Sequence, residues 1–453
     1  MAISGQKMDH SHLGTCAKTH GHVVYSFRTI DLTSSSRETR QGLKPLMKNR
    51  GTHKKLSGIL LSTLALLFLF FPGVSISPLY GAETNEGPAS PAFKGNQRIL
   101  DGINLIYNRQ FADAEDLFNK MITDAPQDPS GYFYLAMITW SRLAAGFWTP
   151  ETVKEFKSRI DRAIEVAQAR VDSEGASSYD FFYLGGALGF KGRFELMKGN
   201  MFSSFLLASD AIKALKTCRE MAPDDKDVLL GIGTFDYYTA KLSGVLKFLT
   251  YFLLHRGDIQ EGLRKLNEAA LHATYSSTEA KSILLYIELF SEQDFPKALA
   301  LATELSNKYP KNPRFKTLEG VCLIRMGKET QYRETLRDLS ARSREAPSAA
   351  TAAIWKNRAL YLESIDDLYR GRYAEARSTL EEILKHPDPV HDPTMIAWPL
   401  VKIGMSYDLA GNRDRALSYY NRVMKMENAS GAQFVADKLL EDPIEPKDPF
   451  IGY

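Results

Sequence analysis

From about Gly95 to Ala436 apolar residues return every three or four positions, in stretches broken by turns rich in Gly, Pro and Asn. That period is helical, because residues three and four apart share one face of a helix. Runs of Val, Ile and Thr alternating with polar residues, which would mark a sheet, are missing. Inside the helical pattern a finer spacing recurs. Gly404, Tyr407, Gly411, Ala416, Tyr420 and Val423 share a frame with Gly102, Leu105, Phe111, Ala114, Phe118, Met121 and Pro126. The frame also fits Phe295, Ala298, Ala302, Leu305 and Pro310, and Gly371, Tyr373, Ala376, Leu380 and Ile383. Ala211, Leu215, Cys218 and Pro223 give a further second helix, and Gly262, Leu266 and Ala269 a degenerate one, six units in all. Phe181–Met197 and Thr351–Leu368 read as additional amphipathic helices.

The frame has a mechanical cause. Ala114 and Ala416 sit where a second helix crosses the first, and a larger side chain would push the pair apart. Phe118 and Tyr420, one turn later, fill the gap toward the next unit. Pro126 ends its helix because proline cannot donate the continuing hydrogen bond. Together these residues resemble the tetratricopeptide repeat, a helix–turn–helix of about 34 residues that buries its apolar face only by stacking on its neighbours. The fold expected is all-α, a superhelical solenoid of such repeats over residues 95–440, one elongated domain despite its length. The 44% hydrophobic and 25% charged fractions are those of a globular protein with ample core formers.

The front of the chain is a different object. Lys48, Arg50, Lys54 and Lys55 precede the apolar run Leu56–Phe71, which Pro72 and Gly73 end; Leu79-Tyr80-Gly81-Ala82 then leads into polar residues. This order is that of a secretory signal peptide over 47–82, too short for an ordinary spanning helix of about 20 residues. Tyr80 departs from the small-x-small cleavage rule, so an uncleaved inner-membrane anchor at 56–72 is the alternative. Residues 1–46 read as an over-extended start or a disordered leader, although His10, His12, Cys16, His20 and His22 could be taken for a metal-binding tract. A linker follows at 83–94, and 441–453 is a Pro- and acid-rich tail whose Phe450, Ile451 and Tyr453 could dock back on the solenoid. Residues 1–82 carry ten Lys/Arg and three Asp/Glu; 57 less ten and 54 less three leave 47 positive and 51 negative side chains, a net charge of −4. No basic stripe with interleaved aromatics argues for nucleic acid. Localisation is expected to be exported, in the periplasm or outer-membrane-associated.

In the middle, Gly231-Ile232-Gly233-Thr234-Phe235 leads into Val245–Leu254, then Gly257-Asp258 and Gly262-Leu263. The segment Ala211–Arg344 resembles the inclusion-body-clearance type of tetratricopeptide proteins. That resemblance implies an all-helical scaffold, sometimes associated with membranes or lipid bodies; the export signal departs from the family's mainly eukaryotic setting. Val245–Leu254, the most apolar piece of the processed chain, is read either as a peripheral membrane contact or as a helix packed inside a widened repeat. The paired glycines Gly185/Gly186 and Gly231/Gly233 allow close helix approach.

Chemistry does not assemble. His-Glu-x-x-His, Gly-x-Ser-x-Gly, Cys-x-x-Cys and phosphate-loop glycines are absent, so no catalytic residue, metal or cofactor is assigned. His386, His391 and Asp392 could chelate weakly, but a solvated loop is the plainer reading, and Asp366-Asp367 and Glu381-Glu382 read as solvent faces. Cys218 and Cys322 read as buried thiols, with a disulfide as the alternative. Tetratricopeptide repeats recognise partners with their first helices, which here present Asn104, Tyr107 and Asn108 in the first unit and Lys402, Met405 and Asp408 in the last. The one Lys-x3-Asn pair, Lys308 with Asn312, straddles Pro310 and is not placed to clamp a C-terminal carboxylate. A protein or peptide partner in the concave groove follows, and with it a scaffold function. The alternative is an envelope-associated protein that binds or processes lipid or glycan.

Overall fold

A computed structural model describes residues 96–241, 257–448 and 451. The leader, signal and linker expected for residues 1–94 and the apolar stretch Val245–Leu254 lie outside the described residues. Among the described residues there are helices and turns but no strand. Seventeen α-helices of the described residues run in order: α1 (Gln97–Tyr107), α2 (Phe111–Asp124), α3 (Pro129–Ala144), α4 (Pro150–Val171), α5 (Ser178–Met197), α6 (Met201–Met221), α7 (Val228–Ala240), α8 (Ile259–His272), α9 (Ser277–Tyr286), α10 (Phe295–Lys308), α11 (Pro313–Arg325), α12 (Glu329–Arg344), α13 (Ala349–Tyr369), α14 (Tyr373–Leu384), α15 (Thr394–Leu409), α16 (Arg413–Met424) and α17 (Gln433–Glu441). A π-helical turn, Ile287–Ser291, extends α9. No helix among the described residues is long and apolar enough to cross a membrane.

Starts and stops follow local chemistry. The Asp128, Thr149, Asp294, Asn312 and Ser348 side chains each accept a backbone N–H of the first turn, and a proline follows in four of the five. Ser177 and Asp180 close a reciprocal capping box on α5. Pro399 lies inside α15, and Met395, whose carbonyl it could not bond, departs from helical geometry.

Each helix packs on the next, and the odd helices also touch one another: α1 on α3, α3 on α5, α5 on α7, α7 on α9, then α11 on α13 and α13 on α15. The odd helices therefore form a row, in which Arg314 of α11 bridges to α9 by lying 5.6 Å over the Tyr286 ring, and the even helices pack against it, which is the architecture of a helical-repeat solenoid. The expected crossing alanines Ala114, Ala298, Ala376 and Ala416 are all at zero exposure, as are Phe118 and Tyr420. Burying one such aromatic contributes roughly 1.5–3 kcal/mol.

Two glycines show how close the crossings are. A Cβ on Gly102 would lie 2.1 Å from Phe118 Cζ, and one on Gly404 2.4 Å from Tyr420 Cε1. Gly404→Ala should therefore destabilise. Overpacking costs about 1–3 kcal/mol, and alanine's better helix propensity returns only about 1 kcal/mol. Urea unfolding of the variant measures the balance; stability equal to the wild type would show that the Tyr420 ring can swing aside. The crossing of α7 and α8 also passes glycines, since a Cβ on Gly262 would lie 2.6 Å from Tyr237 N and one on Gly233 3.0 Å from the Gly262 carbonyl.

Candidate functional site

The row of odd helices curls until early elements meet later ones, at two seams. At the first, the end of α1 and its turn lie against the α8–α9 turn, α9 and the start of α11. Asn96 N donates to Tyr275 Oη at 2.7 Å, and Tyr107 Oη donates to the Glu279 carboxylate. Asn312 Nδ2 donates to the Tyr107 carbonyl at 3.0 Å, and Lys311 Nζ to Gln110 Oε1 at 3.1 Å. The Tyr107 ring lies 5.1 Å from that of Tyr309 and 6.4 Å from that of Phe315. Burial, then the charge of Glu279, pushes the Tyr107 hydroxyl well above its usual pKa, so it stays a donor. At the second seam, the turn between α3 and α4 meets the C-terminal repeat. Thr394 Oγ1 donates to the Ala145 carbonyl at 2.9 Å, Trp148 N donates to Asn428 Oδ1 at 3.1 Å, and the Trp148 and Phe434 rings stand edge to face at 5.4 Å.

The six residues singled out for a partner groove fall in two separate places. Asn104 is exposed on α1. Tyr107 is held in the first seam, and Asn108 Oδ1 accepts from Lys311 N at 3.4 Å. On α15, Lys402 and Met405 have no exposure, and Lys402 Nζ donates to the Ile451 carbonyl of the tail at 2.9 Å. Asp408 accepts from Arg413 at 2.8 Å and from Tyr420 Oη at 2.9 Å, joining α15 to α16. Lys402 and Met405 thus lie beneath the chain's own tail. Ile444 and Ile451 are buried there, so the tail docks back at Ile451, while Phe450 and Tyr453 lie outside the described residues.

Several polar groups carry more structure than their sequence context indicated. Asp366 and Asp367, read as a solvent face, are buried. Asp366 Oδ2 lies 2.8 Å from Arg370 and 3.0 Å from Arg372, and Asp367 Oδ1 lies 2.7 Å from Arg372. The pair faces inward because it clamps the turn that follows α13. Asp392, considered as a chelator with His386 and His391, is instead bound by Arg358 through two bonds of 2.7 and 2.8 Å. His391 is exposed and pairs with Asp388 at 2.9 Å. Cys218 and Cys322 are free, and burial pushes both thiols up to about 12. Asp227 accepts backbone N–H groups from Thr274, Tyr275 and Ser276 at 2.6–3.1 Å, fixing the turn that receives Asn96.

Sequence reasoning passed over three arginines, Arg109, Arg314 and Arg358, which stand on the turn after α1, on α11 and on α13. A signal did exist at Arg109, because the equivalent turn position in other units holds a glycine such as Gly371 or Gly411.

With this geometry, a family model described as tetratricopeptide repeat matches residues 400–426, the end of α15 and all of α16. No curated protein matches the chain. The match supports a tetratricopeptide-type repeat within an all-helical solenoid, and such repeats suggest a protein-interaction scaffold in a fold that is typically non-catalytic.

Proposed function

We propose that this chain is an exported, non-catalytic scaffold of the periplasm or cell envelope that holds a protein or peptide partner on its row of odd helices. The observation that carries the reading is the tetratricopeptide match at residues 400–426, in a chain whose odd helices stack into a row. Among the six candidate contact residues, Asn104 is the one that is exposed and bonded through its backbone alone, to Asn108. It is accordingly the probe of choice. Asn104→Ala should lose partner capture with an unchanged melting temperature, whereas Tyr107→Ala also removes the bond to Glu279 and the ring contacts of the first seam.

Export is part of the same proposal and rests on the order of basic, apolar and small residues over 47–82. The resemblance of Ala211–Arg344 to the inclusion-body-clearance type and a peripheral membrane contact through Val245–Leu254 belong with it. On the described side, Phe202 and Leu206, one turn apart on α6, add exposed apolar surface. Crosslinked capture from intact cells, with mass spectrometry of the chain's N-terminus, tests the reading. A chain beginning near Glu83, crosslinked to envelope proteins and losing them on Asn104→Ala, is the result expected. A chain beginning at Met1 with cytosolic partners would overturn it.

A further inference from the structure

On the side that faces the tail, α15 differs from its counterparts earlier in the row. Lys402, Leu362 and Leu318 hold the same place on α15, α13 and α11, each nine residues before the left-handed turn glycine of its unit, Gly411, Gly371 or Gly327. All three side chains are buried. Leucine gains from burial there, whereas an ammonium pays heavily for leaving water, so a lysine at this place has a use for its donors. The use is visible: Lys402 Nζ donates to the Ile451 carbonyl at 2.9 Å and lies 3.6 Å from Met405 Sδ.

The tail is seated as a bound peptide is. At its root, Arg413 of α16 donates to the Leu440 carbonyl at 3.0 Å. Two successive turns then shape it, with Asp448 N donating to the Glu445 carbonyl at 2.9 Å and Ile451 N to the Asp448 carbonyl at 3.2 Å. Ile444 and Ile451 are buried, whereas Pro443, Glu445, Pro446 and Lys447 stand in solvent. Asp448 faces Lys438 of α17 at 3.8 Å. Recognition thus uses aliphatic side chains, a main-chain carbonyl and a carboxylate. Proteins that bind extended peptides work in this way: main-chain bonds hold the segment, and pockets for a few of its side chains select it. The helix being read is an odd one, and Lys402 and Met405 are among its expected partner positions.

We infer that Lys402, Met405 and Lys438 belong to a peptide site that the chain's own tail fills in cis, and that its partner in trans is an extended acidic, proline-containing segment with aliphatic anchors like Ile444 and Ile451. This rests on the proposed use of the odd helices as the partner face. The tail is then a built-in competitor. Its tether keeps it near the site at an effective concentration on the order of millimolar, which an incoming segment has to outbid. A lysine suits such exchange better than leucine. It bonds to a main-chain carbonyl, which every peptide carries, so the incoming segment satisfies it as the tail does. When the tail leaves, the ammonium meets water, and the vacated site strands no buried charge. Selection falls to the aliphatic side chains and to the acid opposite Lys438.

Fluorescence anisotropy of a labelled synthetic peptide of residues 442–453, titrated with the purified full chain, tests the inference. The double variant Ile444→Ser with Ile451→Ser loosens the tail and should bind the peptide saturably, on the order of tenfold or more tighter than the wild type does. Adding Lys402→Met to that variant should weaken binding on the order of tenfold, through the lost bond to the carbonyl. A peptide carrying the same two serines should not bind. Hydrogen exchange of the wild type gives a second readout without any variant: the Asp448 and Ile451 amides should open while those of α15 stay protected. Tail amides that exchange only together with α15, or a double variant that no longer unfolds cooperatively, would make the tail a fixed part of the core and overturn the inference. Equal peptide affinity in wild type and double variant, or a serine peptide bound as well as the natural one, would also overturn it. Wild-type dimers that the free peptide dissociates would identify a second copy's tail as the segment in trans. Both components are purified, so the outcome does not depend on export or on Asn104. Peptide bound as expected, with partner capture unchanged by Asn104→Ala, would remove the Asn104 contact and leave this site standing.

Discussion

Replacing Asp392 with alanine should lower the unfolding free energy by about 3–5 kcal/mol, the usual cost of stranding one partner of a buried ion pair. Asp392 is 2% exposed and Arg358 6%, and two parallel bonds join them. Removing the carboxylate leaves the Arg358 guanidinium buried without its counter-charge, in the same field as Arg109 and Arg314. The exposed pair Lys213–Asp210 provides the contrast: its side chains are 73% and 60% exposed, and Asp210→Ala should change stability by less than about 1 kcal/mol. Converting both partners, Arg358→Met with Asp392→Leu, removes the desolvation cost together with the attraction and should be neutral or stabilising. Urea unfolding gives the magnitudes. Because a solenoid is stabilised by nearest-neighbour contacts, hydrogen exchange should place the loss in α13 and α15 before it reaches α1. Stability of Asp392→Ala within 1 kcal/mol of the wild type would contradict the account, since that is all an exposed pair contributes.

The repeat frame was legible because it is steric. Gly404 against Tyr420 and Gly102 against Phe118 are the same contact made at two ends of the chain, and a fixed contact requires a fixed spacing. Two helix pairs escaped the frame for identifiable reasons. Between α3 and α4 the turn runs five residues, Ala145 to Thr149, which breaks the interval, and those extra residues carry Trp148 into the second seam. In α12 the crossing position is taken by Tyr332 instead of alanine, and Gly320 of α11 receives Leu362 of α13. The site was less legible. Position within a repeat identifies which face a residue occupies, but not whether that face stays open. The seams join Tyr107 to Glu279 and Trp148 to Asn428, pairs 172 and 280 residues apart, and no local pattern encodes such a meeting. Asp366 and Asp367 illustrate the same limit on a smaller scale. Adjacent acids ordinarily mark a solvated face, and only the positions of Arg370 and Arg372 reveal that these two are turned inward.

The stability of the C-terminal repeat should rise with pH above neutrality, and Lys402 is the reason. Its side chain has no exposure, and burial lowers its pKa from 10.5 to about 7, with Asp448 acting in the opposite sense. The folded state therefore releases this proton near pH 7, while the unfolded chain holds it to about 10.5. Between those values the unfolded state binds more protons, so stability increases with pH by about 1.4 kcal/mol per unit; below pH 7 both states are protonated and the contribution is flat. Other groups titrate in the same interval, and Lys402→Met removes only this one. The difference in unfolding free energy between wild type and Lys402→Met should thus shift by about 2–3 kcal/mol in favour of the wild type from pH 7 to pH 9. At pH 7 and below the methionine variant should be the more stable, because it buries no cation. Its tail should still be less firmly held, since Lys402 Nζ donates to the Ile451 carbonyl at 2.9 Å and methionine cannot. Urea unfolding of both proteins across this range provides the measurement. Parallel stability curves would show that Lys402 titrates alike in the folded and unfolded chain, which its burial beneath the tail forbids.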